Sequence, residues 1–446
     1  ALTSAEVASL ASGAEPGALL ARSNALKRIP SKPFSTEVPR PRQAAFDPAS
    51  AVIAIQKDGR GNELAEYLQQ RFQSAWGVKF PIREVANHHD GKENLILFGG
   101  RNGNMLLREL TANLYIRPNG AGAEFRIAPD VLDWRRSVLY LAGRDRAELD
   151  KSLDAFFKKY PKAEMLKNCY FCEAGLAKPA APEELMKAME TRYSDRSARP
   201  MNLTLLNEMK DAALAYRDTG DDRYAEVFGK MTKMMLDEYE AKLPLSRNSP
   251  PTFEFHQYPQ YLEEVEYSPK WTAADRRNAA ELIRKVLEHT MDYYEMKTPS
   301  KMFDEGQVGY LTNHYNFAAR TTYNNTRYLL DRYNYEPAKY WQAVAKHVFA
   351  GVENSPLSPE DAGGYQFLVY RIFTDYALSS GNYDLDFFKR PVYRDYVRYT
   401  KGIFNHLGYT PGYGDANPTG MASGFTVLKE AVDILNDDEA EFLLNW

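Results

Sequence analysis

The sequence predicts a mainly α protein: an α/α toroid, an incomplete or compact barrel of helical hairpins, preceded by a small α/β sandwich domain. Three observations lead there. From residue 182 onward, apolar residues recur at i, i+3 and i+4 in one segment after another, with no strand signal between them. Short turns join these segments, which makes successive helices antiparallel neighbours. From 49 to 162, short apolar runs alternate with amphipathic stretches, the pattern of a layered α/β domain.

Residues 1–48 are rich in Ala, Ser, Pro and Arg, with Pro30, Pro33, Pro39 and Pro41 close together. They read as an extended arm lying along a domain. The chain begins Ala1-Leu2-Thr3 without Met, so removal of a signal peptide and a secreted or periplasmic location are expected. Its end, Glu441 to Trp446, reads as the middle of a helix, and the natural chain is expected to continue.

The α/β domain (49–162) begins with the strand Ala51 to Ile55 and a helix from Gly61 to Trp76. Leu95 to Phe98, ending in Gly99-Gly100, is a second buried strand. Ala123 to Ile127 and Val138 to Gly143 are two more, and Ala147 to Tyr160 is a closing helix. The Gly99-Gly100-Arg101-Asn102-Gly103 turn lacks both the Lys-Ser/Thr of a P-loop and the dinucleotide-binding glycine spacing. Residues 163–181 read as a linker. It holds the only two cysteines, Cys169 and Cys172, a spacing open to a short disulfide, half a metal site or a redox pair. A local disulfide is the preferred reading, because no second Cys pair exists and the surroundings do not resemble a thioredoxin turn.

The toroid domain (182–446) carries ten helical segments: 182–193, 203–219, 222–243, 252–267, 273–296, 307–333, 337–352, 362–379, 390–407 and 422–435. Ala215-Tyr216-Arg217-Asp218-Thr219-Gly220-Asp221-Asp222-Arg223-Tyr224 joins two of them, and Tyr376 to Tyr383 repeats the device. An aromatic residue ends one helix, Gly supplies a left-handed C-cap, and Asp or Asn caps the next. Repeated hairpins give a solenoid or a closed ring, and their unequal lengths favour the ring.

Bulk composition excludes some functions. A net charge of −4 lends nothing to a nucleic-acid partner. No run of 18 apolar residues exists, so no membrane-spanning helix is expected. The 30 Tyr and 22 Phe are many, and Tyr suits both a core and a sugar-binding cleft, since it offers a flat face and a hydroxyl together.

One segment stands apart: Gly309 to Arg327, with Asn313, His314, Tyr315, Arg320, Tyr323 and Arg327 in a helical stretch. So many Asn, His, Arg and Tyr make a poor helix interior and a poor core. His314, Ala318 and Thr321 share a stripe, with Asn313, Arg320 and Tyr323 nearby or one turn on. The chemistry that uses these groups together is β-elimination from a uronic acid. Asn or Arg neutralises the carboxylate as the enolate develops, and His or Tyr removes the C5 proton. No cofactor is required, and a structural divalent cation is left open. Metal ligation by His256, His289, His314 or His347 lacks an H-x-H or H-x-x-x-H spacing.

Two resemblances bear on this reading. The order strand, helix, LILFGG, EFRI and LYLAGRDRAELDKSLDAFFKKY resembles the small accessory α/β domain that precedes the catalytic domain of β-hexosaminidases and α-glucuronidases. Residues 200–446 resemble the helical-toroid polysaccharide lyases, the heparinase II/III-like, alginate and chondroitin lyases. The matching features are the AYRDTGDDRYAE hairpin, NHY followed nine residues after the His by Tyr323, SPEDAGGYQ, and GYTPGYGDANP. This resemblance implies His314 as base, Tyr323 as base or acid, Asn313 as carboxylate neutraliser, and Arg320 or Arg327 as uronate anchor. It also implies substrate contacts from His256, Tyr258, Tyr315, Tyr365, Asp361 and Asp415, with an anionic polysaccharide as partner. The chain departs from the family in placing Asn313 beside the His and in lacking the family's C-terminal β-sandwich; His256 then stands in for a group from an earlier hairpin. Two other readings remain: a glycoside hydrolase using paired carboxylates among Glu263, Glu264, Asp304, Glu305, Glu360, Asp361 and Asp415, and a non-catalytic glycan-binding protein.

Overall fold

The computed structural model describes residues 26–34, 45–56, 61–100, 104–116, 122–173, 179–194, 205–242, 252–309, 312–354, 363–381, 387–404, 408–409 and 425–445. The protein is mainly helical, with a small region of mixed sheet.

The first part holds strands β1 (Ala45–Phe46), β2 (Ala51–Ile55), β3 (Ile82–Glu84), β4 (Asn94–Phe98), β5 (Glu124–Ala128), β6 (Val138–Leu141), β7 (Leu166–Lys167) and β8 (Cys169–Cys172). Its helices are α1 (Asn62–Trp76), α2 (Met105–Ala112) and α3 (Arg146–Lys159). Six strands form one sheet in the order β3-β2-β4-β6-β5-β8, in which β5 runs antiparallel to its neighbours β6 and β8 and the others share one direction. Strand side chains alternate between the two faces. Ile53, Ile96 and Leu139 pack under Leu68 and Phe72 of α1 and Phe156 of α3. Val52, Leu95, Leu97 and Tyr140 belong instead to the core that continues into the helices. One hydrophobic core therefore spans the sheet's second face and the helical region.

The expected linker at 163–181 is corrected by this sheet. Residues 169–172 are its edge strand, with Phe125 opposite Phe171 and Ile127 opposite Cys169. The disulfide expectation falls with it: both cysteines are buried and free. Residues three apart in a strand are separated by about 10 Å, beyond the reach of a disulfide.

The helical part comprises α4 (Pro182–Ser194), α5 (Leu205–Thr219), α6 (Asp222–Lys242), α7 (Tyr258–Val265), α8 (Ala273–Asp292), α9 (Tyr294–Asp304), α10 (Asn313–Tyr333), α11 (Pro337–Glu353), α12 (Gly363–Ser379), α13 (Pro391–Ile403), α14 (Phe425–Leu435) and α15 (Asp438–Asn445). Nine of them form two series of packed neighbours. In one, α5 packs on α7, α7 on α10, α10 on α12 and α12 on α14; the other runs through α6, α8, α9 and α11. The predicted hairpin device is present, with Gly220 at φ +71° and Asp221 accepting from the Arg223 amide at 3.0 Å. The arm's described residues lie on the helices. The Lys32 amide donates to Tyr335, and Phe34 packs between Tyr333 and Tyr335. No helix among the described residues is long and apolar enough to cross a membrane.

Two predicted helices are corrected. The one read over 252–267 starts only at Tyr258, after the 3₁₀ turn Phe255–Gln257. The stretch 273–296 is two helices, broken at Tyr293, whose extended backbone (φ −82°, ψ 154°) ends α8 and starts α9. No Gly or Pro marks that break, so the apolar period reads straight through it.

Buried ion pairs fasten the sheet to the helices. Arg126 of β5 meets Glu264 of α7 through two bonds, at 3.1 and 2.8 Å. Arg108 of α2 pairs with Glu430 of α14, and Arg332 of α10 reaches Asp130 at 3.3 Å and Glu263 at 2.6 Å. Tyr115 adds a hydrogen bond to Glu263. The seam is close-fitting elsewhere too. A Cβ on Gly381 (φ +62°) would lie 2.3 Å from Cε1 of His88, a buried ring stacked on Trp134. Gly381→Ala combines backbone strain with a clash, and thermal unfolding should show a loss of about 1–3 kcal/mol.

Candidate functional site

The site grows from α10 and the segment 252–257 that lies against it. This segment makes few regular backbone bonds, so its carbonyls need other donors. Side chains of α10 supply them. Thr321 donates to the Thr252 carbonyl at 2.6 Å, Asn325 to that of Phe255 at 3.1 Å, and Asn324 to that of His256 at 3.1 Å. Part of the polar run that looked unsuited to a helix is thus a latch for a neighbouring strand of chain.

At the start of α10, Asn313 accepts from the His314 amide at 2.7 Å. The His314 ring projects outward, its side chain 47% exposed, and its Nδ1 lies 3.0 Å from Oε1 of Glu295, which is 2% exposed. Glu295 is held in turn by the Thr252 hydroxyl, 3.3 Å from Oε2. Nδ1 is therefore committed, and Nε2 has no partner among the described residues. A buried carboxylate fixing one imidazole nitrogen sets the tautomer that leaves the other nitrogen basic. Phe253 meets the ring edge-on at 5.4 Å and packs on Phe317 at 4.6 Å, which fixes the plane of the imidazole.

Beyond Phe317 lies a second polar group. The Arg320 guanidinium sits 5.3 Å from the Phe317 ring and 3.6 Å from Asp375 of α12. Burial pulls Arg320 down to about 10, opposed by Asp375 and reinforced by Arg371. Burial also pushes the Glu254 carboxyl up. Among the described residues, Arg320 Nε, His256 Nδ1 and Asn324 Oδ1 are buried without a hydrogen-bond partner, as are thirteen other side-chain atoms elsewhere. Groups of this kind are ordinarily satisfied by ordered water or a polar ligand.

Burial, with Arg320 and Arg371 adding to it, holds the His256 imidazole well below its usual range. It is therefore neutral in the fold but protonates near 6.5 when unfolded. The unfolded state binds the extra proton, so stability falls as pH drops through 6.5. His256→Asn should flatten the dependence of Tm on pH between 7 and 5; an unchanged slope would assign the acid sensitivity to other groups, among them His89 and His347, whose values burial also lowers.

The other expected site residues are placed differently. Tyr323 lies nine residues from His314, and nine steps of 100° put it on the opposite side of α10. It is buried, edge-on to Tyr376 at 4.9 Å and beside Arg327, and burial raises its hydroxyl. Arg327 is locked to Asp133 and Asn113 in the seam with the sheet. Tyr258 is a core residue, bonded to Thr232 at 3.0 Å and stacked on Phe255. The expected convergence of Tyr323, Arg327 and Tyr258 with His314 is corrected on these grounds. Tyr315 is half-buried beside Tyr294, and Tyr365 is half-buried in the first turn of α12. Asp361 and Asp415 lie outside the described residues.

Glu295 is the residue that sequence reasoning missed. It stood inside an expected continuous helix, and nothing local distinguishes it from a solvated acid. Among the described residues, no group of three or more His, Cys, Asp or Glu side chains is arranged to hold a metal ion. Comparisons with protein-family models, curated proteins and solved structures find no match for this chain.

Proposed function

We propose that the protein is a polysaccharide lyase that cleaves a uronic-acid-containing polysaccharide by β-elimination. The observation that carries this reading is the His314–Glu295 pair, with an available Nε2, standing on the same helix as the buried, incompletely satisfied Arg320. In the proposed reaction His314 Nε2 takes the C5 proton. The C5–H electrons form the C4–C5 double bond, the C4–O bond breaks, and the departing sugar oxygen takes a proton from solvent water. Arg320 and Asn313 neutralise the uronate carboxylate, which lowers the cost of the developing enolate. The two series of helices, in which each helix packs on the next, support reading the helical part as a portion of an α/α toroid.

Three of the carboxylates proposed for hydrolysis are engaged elsewhere. Glu263 and Glu264 are buried in ion pairs with Arg332 and Arg126. Asp304 accepts from Tyr340 at 3.0 Å. These engagements favour elimination over a two-carboxylate hydrolysis. The test is incubation with alginate, glucuronan, chondroitin, heparin and ulvan while following absorbance from the C4–C5 double bond. New reducing ends without that absorbance would replace the lyase by a hydrolase, and neither signal would leave a binding protein.

A further inference from the structure

A row of rings begins at Tyr315, the residue after His314 on α10. Tyr315 meets Tyr294 edge-on at 6.3 Å, Tyr294 lies 4.8 Å from Tyr293, and Tyr293 lies 6.0 Å from His289. The row ends at Tyr239, whose hydroxyl is 2.6 Å from His289 Nδ1. Tyr294 is 51% exposed although it directly precedes the buried Glu295. One turn further along α9, Lys297 is exposed and has no carboxylate partner among the described residues.

Tyr294 is the exposed ring of this row, while Tyr315, Tyr293 and His289 are half-buried and Tyr239 is buried; a large exposed ring next to a buried carboxylate is the informative feature. Pyranose rings have an apolar C–H face and a polar rim, which match the face and hydroxyl of Tyr. An unpaired Lys one turn away complements a carboxylate on the same sugar chain. We propose that this row is the platform that binds the uronate chain flanking the scissile bond, with Tyr294 as its stacking ring and Lys297 as its carboxylate contact. The proposal deepens the lyase reading and takes its polymer class from it. The occupant is one extended chain, because Tyr294 directly adjoins Glu295, the carboxylate that holds His314.

Binding can be read without turnover. Affinity electrophoresis of the His314→Ala protein through gels containing alginate, glucuronan, chondroitin, heparin or ulvan should show retardation by at least one of them. Adding Tyr294→Ala should weaken that binding on the order of tenfold, while Tyr294→Phe keeps most of it. Lys297→Gln should weaken it and reduce its salt dependence. Both positions are exposed, and an unchanged Tm confirms that the variants fold. Unaltered affinity in Tyr294→Ala, or no retardation by any polymer, overturns the platform. Retardation of the unmodified protein that depends on Tyr294 but brings no C4–C5 absorbance would remove the lyase reading and leave the platform standing.

Discussion

Replacing His314 by Ala should lower turnover of the cleaved polymer by about 10²–10⁴-fold, the usual contribution of a positioned general base. The loss should fall on kcat rather than KM, because the ring acts on the proton and the substrate is held elsewhere. Glu295→Gln tests the same pair from behind. An amide can offer its NH₂ to Nδ1, which favours the wrong tautomer and removes the proton acceptor from Nε2. That variant should lose turnover with the polymer still bound. Tyr323→Phe is the contrasting control. Its hydroxyl is buried on the opposite side of α10, so its removal should leave turnover almost unchanged. Initial rates of double-bond absorbance decide among these outcomes. Full activity in His314→Ala would end the assignment of the base, and a large loss in Tyr323→Phe would mean that α10 rearranges in the complex.

Replacing Arg332 by Ala should be among the most destabilising single changes in the chain. Its guanidinium is buried with Asp130, Glu263 and Asp331 as direct partners, all nearly inaccessible to solvent. Removing that cation leaves the buried carboxylates of Asp130 and Glu263 without it, while Asp331 keeps Arg135 at 3.1 Å. Breaking such an arrangement from one side costs about 3–5 kcal/mol, a large share of a stability of roughly 5–15 kcal/mol. Denaturant midpoints at pH 7 should show the loss. It should shrink as pH falls, since protonating the stranded carboxyls relieves their repulsion. Replacement by Met keeps part of the packing but not the charge and should recover little. A loss below 1 kcal/mol in Arg332→Ala would show that the seam rests on its apolar core alone.

The helical stretches were readable from the chain because each is a local amphipathic period closed by local capping. Segments 222–243 and 337–352 correspond closely to Asp222–Lys242 and Pro337–Glu353. Strands β2, β4, β5 and β6 were readable because a buried strand is a short apolar run. The edge strand β8 was not, since its residues became a strand only by pairing with β5. The break at Tyr293 was invisible for a related reason: no turn residue announces it.

The polar run on α10 illustrates the same division. Its composition alone implied that buried Asn, Thr and Arg must have a purpose, because polar groups cannot be left unpaired in a core. Composition could not apportion that purpose. The fold gives Thr321, Asn324 and Asn325 to latching the 252–256 segment, Arg327 and Arg332 to the seam with the sheet, and His314 and Arg320 to the candidate site. Helical spacing orients residues around one axis, whereas function depends on which neighbour each side meets. His314 was visible in the sequence as an unusual residue in an unusual helix. Its partner Glu295 lies 19 positions away on a separate helix, and only the packing of α9 against α10 brings the two carboxylate and imidazole groups to 3.0 Å.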